Sequence, residues 1–160
     1  MLENLLPGLQ HLQNIHPVTI HFPIAFLTGA AVCYIAAWIR SYKALESTAF
    51  WLLLAGAVTA GIAVGTGLYA EDGVMISYSV RAHLLDQHEK LMLTTLGLSV
   101  CLSAWALIAR PFPRKGRVFF VLLCGILLAV MTIGADYGAR LVYDYNAGGD
   151  ACSQPIEYTR

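Results

Sequence analysis

Residues 16–40 read HPVTIHFPIAFLTGAAVCYIAAWIR. From 17 to 39 no Asp, Glu, Lys or Arg interrupts the run, which exceeds the roughly 18 uncharged residues that mark a membrane-crossing helix. Stretches 48–70, 91–109 and 118–135 have the same character, and the connections between them are too short for a separate soluble domain. The expected fold is an all-α integral membrane protein: a single domain, 1–160, built as an up-and-down bundle of four transmembrane helices. The spans fall at about 17–39, 48–70, 86–109 and 118–138, followed by a tail over 139–160.

Working outward from the first span, 1–15 (MLENLLPGLQHLQNI) spaces its apolar residues as a short interfacial helix would, broken by Pro7 and Gly8. No Lys or Arg precedes residue 17, so the first span is expected to remain in the mature chain rather than act as a secretory signal. Pro17 and Pro23 cannot both sit inside a regular helix, and an irregular entry to helix one is expected. The third helix should start near Val80 under a Ser79 cap, after the Asp72-Gly73 turn.

Net charge is zero, yet the charges are sorted by side. The connections after helices one and three hold Arg40, Lys43, Arg110, Arg114, Lys115 and Arg117 with Glu46 as the single acid. The opposite side holds Arg81, Lys90, Arg140 and Arg160 among nine acids. Because Lys and Arg bias loops toward the cytoplasm, the expected placement is a bacterial inner membrane with both termini on the periplasmic side. No nucleic-acid partner is expected. Cys33, Cys101 and Cys124 fall within apolar helices as small hydrophobes, Cys152 lies in the tail, and the absence of C-x-x-C-H leaves covalent haem attachment without support.

All five histidines, at 11, 16, 21, 83 and 88, fall on the outer side. Intramembrane ionisable residues are functional candidates, and imidazole is the commonest biological metal ligand. The spacing H-x4-H occurs twice, and residues five apart on a regular helix point about 140° apart, so one ring of each pair is directed into the bundle. Helices one and three occupy a diagonal of about 11 to 14 Å. That span suits two imidazoles on opposite faces of a haem iron better than a compact zinc site. The expected axial ligands are His21 and His88, with His16 and His83 hydrogen-bonding a propionate or quinone at the rim and Arg81 and Arg140 neutralising propionates. His11 reads as an ordinary hydrogen-bonded histidine. In GAVTAGIAVGTG (56–67), Gly65 and Gly67 offer either close helix packing or a flat wall for a planar cofactor.

With HPVTIHFPIAF, GTGLYA, HLLDQHEKL and GARLVYDY in view, the chain resembles a bacterial family of four-helix membrane proteins, domain-of-unknown-function family 2231. The likeness covers nearly the whole chain. Its ending departs from the family pattern through Ala139 and Arg140 before Leu141. The resemblance implies four helices and, in some relatives, association with respiratory or cytochrome-linked modules.

The function expected is a b-type haem subunit for electron transfer or membrane anchoring, exchanging electrons on the outer side with quinone, a periplasmic cytochrome or dehydrogenase, or a larger respiratory assembly. One alternative is a copper or other transition-metal transporter or assembly factor using the same histidines with Glu71, Asp86 and Glu89. Another is a cofactor-free structural subunit. A hydrolytic enzyme is poorly supported, because no nucleophile sits in a recognisable motif.

Overall fold

The computed structural model describes residues 15–147. Four helices, α1 (Ile15–Arg40), α2 (Lys43–Glu71), α3 (Tyr78–Ala109) and α4 (Arg117–Tyr143), are each long and apolar enough to cross a membrane. No strand occurs among the described residues. The expected interfacial helix falls outside them apart from Ile15, as do His11, Cys152 and the tail beyond residue 147.

Short connections force each helix to run antiparallel to the next. α1 packs on α2 and α4, and α3 packs on the same two. Helices one and three therefore stand at opposite corners, as the up-and-down order requires. Helices α2 and α4 extend beyond the expected spans, starting at Lys43 and ending at Tyr143. Hydropathy marks where a helix crosses lipid, whereas the helix itself continues through residues such as Lys43 whose long stems bring their charge to the aqueous edge.

The expected irregular entry to helix one occurs, with an identifiable cause. Helix α1 opens with a turn, Ile15–Thr19, and resumes at His21. Pro23 has no N–H to offer Thr19 one turn back, and the adjoining Ile24 N–H reaches the Ile20 carbonyl at a long 3.4 Å. Helix α3 is capped by Ser77 rather than Ser79, its hydroxyl accepting the Val80 N–H at 3.3 Å. Ser77 has the extended backbone that a cap needs, while Ser79 is already inside the first turn. A π-helical turn follows at Arg81–Leu85, closed by the Asp86 N–H on the Arg81 carbonyl.

Packing divides the bundle by depth. At the basic end, α1 to α4 share one core containing Leu27, Tyr34, Leu53, Leu102, Phe120 and Leu127. Tyr34 donates to the Pro111 carbonyl at 3.0 Å, and its ring lies 4.9 Å from both Phe112 and Phe120. Arg117 reaches Glu46 at 3.0 Å and stacks 4.3 Å from the Phe112 ring, fastening the start of α4 to the start of α2. At the far end a smaller cluster joins Val80, Leu84, Leu141 and Tyr145. The level between the two clusters is where His16 and His88 lie.

Gly56 explains the tight contact of α1 with α2, because a Cβ there would run into the Leu27 side chain. A Cβ on Gly125 would meet nothing within 4 Å. Gly56→Leu should therefore cost about 1 to 3 kcal/mol through overpacking, read as a lower thermal unfolding midpoint in detergent, and Gly125→Leu should leave that midpoint unchanged.

Candidate functional site between helices one and three

The entry turn of α1 places His16 beside the outer half of α2. Thr19 donates its hydroxyl to the His16 carbonyl at 2.9 Å and lies 2.9 Å from the Thr66 hydroxyl. The His16 ring rests over Gly67, where a Cβ would come within 2.9 Å of its Cε1. Its Nδ1 is 3.2 Å from Thr66 Oγ1. Thr66 Oγ1 also lies 3.0 Å from the Ala63 carbonyl, so the two threonine hydroxyls and the His16 ring form one small polar network.

On the opposite corner His88 is held in the same manner by α4. Its ring rests over Gly138, where a Cβ would come within 2.8 Å of Cε1. Nδ1 lies 2.7 Å from the Gly134 carbonyl. A carbonyl only accepts, so the proton is on Nδ1. Gly134 is small for a second reason, since a Cβ there would strike Met92 and Leu91.

The two hairpins thus repeat one device: a histidine on the first helix, its ring on a glycine of the second, at nearly equal sequence separation. Both rings are half-buried. At His88 the proton is on Nδ1 and Nε2 keeps its lone pair, the arrangement of ligating histidines, which donate the other ring N–H to a protein acceptor and so fix ring and tautomer. Among the described residues no group of three or more His, Cys, Asp or Glu converges as a metal would need for a protein-only shell.

The remaining expected site residues are arranged as follows. His21, expected as a ligand for its greater depth on helix one, is exposed, whereas His16 and His88 are half-buried. His83 is also exposed, on the π turn. That turn closes across one extra residue, and it is His88, beyond it, that meets α4. Arg81 is committed to Glu71 at 2.6 Å and to the carbonyls of Glu71 and Val74. Arg140 lies 3.6 Å from Asp144 and 5.9 Å from the Tyr137 ring. Gly65 is exposed and meets nothing within 4 Å, while the face of Gly67 is taken up by His16.

Sequence reasoning missed Thr19, Thr66, Gly134 and Gly138. Thr66 had a usable signal as a lone hydroxyl between two glycines at the level of the histidines. The glycines of α4 had none beyond their i, i+4 spacing, because only contact with α3 gives them a purpose. Selective 15N-histidine NMR at neutral pH should report Nδ1-protonated His88. An Nε2–H signal for that ring would contradict the hydrogen-bond assignment, and Gly138→Ala should perturb His88 while leaving His16 unmoved.

The family described as "Predicted membrane protein (DUF2231)" matches residues 12–151. Neither the curated proteins nor the solved structures gave a match.

Proposed function

Since this chain belongs to the DUF2231 family of membrane proteins, we propose that its His16–His88 pair holds a b-type haem and that the protein is a membrane electron-transfer or anchor subunit. The observation that carries the reading is the matched pair of Nδ1-anchored imidazoles on diagonal helices, each seated on a glycine of the next helix. Two protein ligands suffice for a haem, whose macrocycle supplies the other four nitrogens, and imidazole is its ordinary proximal ligand. The group would supply one-electron chemistry. The chain's part is to fix both rings, exclude water with the apolar clusters above and below, and retain the cofactor without a covalent bond. Arg140, held by a single loose carboxylate contact, suits a propionate partner better than the fully engaged Arg81.

The compartments follow from charge. The end bearing Arg40, Lys43, Arg110, Arg114, Lys115 and Arg117 faces the cytoplasm, and the histidine end with both termini faces the periplasm. With every histidine at that end, electrons are exchanged there, with quinone or with a periplasmic cytochrome, dehydrogenase or larger respiratory assembly. Fusions of a cytoplasm-dependent reporter after Arg40 or Arg117 should be active, and fusions after Asp72 inactive.

The haem itself is tested by one visible spectrum of the purified protein, oxidised and then reduced with dithionite. A Soret band with sharp reduced α and β bands is expected. His16→Ala and His88→Ala should each abolish or convert that low-spin spectrum, and His21→Ala should leave it intact. Stoichiometric copper or zinc without a Soret band would instead favour the transition-metal reading of the same histidines. The absence of both would favour a structural subunit.

A further inference from the structure

We infer that the basic end of the bundle is a binding site for an anionic phospholipid. Arginines and lysines of two neighbouring connections hold its phosphate, and its acyl chains lie on the bare helix surface beside them. The inference stands apart from the haem reading, which concerns the opposite end. The two basic connections are fixed to one another. Tyr34 of α1 donates to the Pro111 carbonyl at 3.0 Å, and Arg117 at the start of α4 meets Glu46 of α2 at 3.0 Å. Each connection is also held in one shape. Only Ser41 and Tyr42 separate α1 from α2, with Ser41 in the left-handed region at φ 50°, while Phe112 and Pro113 are buried between α3 and α4. The basic side chains therefore project from backbone that needs no ordering when a ligand arrives, which lowers the cost of binding.

Charge selects an anion. Glu46, the single acid of these connections, is taken up by Arg117. Arg40, Lys43, Arg110, Arg114 and Lys115 are exposed, and none of them has an ion-pair partner among the described residues. Guanidinium groups match the paired oxygens of a phosphate, and lysine adds a point charge. The surface beside these cations makes the occupant a lipid. Ile39, next to Arg40, is 69% exposed, Ile108, just before Arg110, 87%, and Phe119, just after Arg117, 58%. A phosphate seated on the cations thus has apolar surface within one helical turn, as at the boundary between headgroup and acyl chain. Trp38, Tyr42 and Trp51 are exposed at the same end, and such rings favour that boundary. A free phosphate ion would use the cations and gain nothing from the apolar side chains. A zwitterionic lipid would cover the apolar side chains but bring its own cation. An anionic phospholipid uses both.

The tryptophans of the chain, Trp38, Trp51 and Trp105, all lie in the half of the bundle that bears these connections, so lipids brominated on their acyl chains, which quench indole fluorescence on contact, read this end. Full-length protein reconstituted in phosphatidylcholine bilayers should be quenched more by brominated phosphatidylglycerol than by an equal fraction of brominated phosphatidylcholine. Both leaflets carry the probe, so the orientation of the protein does not enter. Arg40→Gln, Arg114→Gln and Lys115→Gln should each lower the preference for phosphatidylglycerol by up to about fivefold, the effect of one basic residue at a membrane surface, and the triple variant should abolish it. Lys90→Gln, at the opposite end, should leave the preference unchanged. Equal quenching of the wild type by the two lipids, or a preference that survives in the triple variant, would overturn the site. Loss of the preference in millimolar inorganic phosphate would assign the cations to a free anion and overturn the lipid as occupant.

Discussion

An imidazole buried among apolar helices must have its ring N–H satisfied by the protein, since the bilayer core offers no water to do it. In this bundle both rings find hydrogen-bond partners, on diagonal corners, on the next helix in the chain: Thr66 for His16 and the Gly134 carbonyl for His88. The backbone must come close for those bonds to form. Gly67 and Gly138 provide the space, and a methyl group at either would meet the ring. Histidine, acceptor and glycine are therefore one unit, and the unit occurs once in each hairpin.

The rest of the architecture keeps these units in register. Below them the shared aromatic and leucine core fixes all four helices, with the Tyr34 hydroxyl on the Pro111 carbonyl and the Arg117–Glu46 pair closing the basic end. A half-buried ion pair of this kind contributes less to net stability than its Coulomb attraction suggests, because both charges lose water. Its effect is to specify which helix starts meet. Above, Arg81 ties the linker down through Glu71 and two carbonyls, and the Val80–Leu141 cluster joins α3 to α4. The histidine level lies between two regions of conventional packing.

Irregular backbone is concentrated at the same level. The α1 entry break and the π turn of α3 flank His16 and His88 respectively. π turns inside α-helices recur at functional positions, and backbone departures in a membrane persist where protein satisfies the freed groups. On α1 the departure has a local chemical cause, the missing Pro23 N–H, and on α3 it is the closure of the Asp86 N–H on the Arg81 carbonyl.

The four spans, their up-and-down order, the diagonal placement of helices one and three, the charge-sorted ends and the gathering of histidines at one end were all legible in the residues. These depend on the hydrophobic effect and helix length, which act locally along the chain. The irregular entry of α1 was legible too, because proline carries its constraint with it. Tertiary structure alone decided that His16 and His88 are half-buried while His21 is exposed, that Ser77 rather than Ser79 caps α3, that Arg81 is spent on Glu71, and that Gly67 and Gly138 seat imidazoles. Each of these turns on a contact that periodicity along one helix does not register, from Ser77 with Val80 within one turn to His16 with Thr66 across 50 positions, so only the packed bundle could assign the partners.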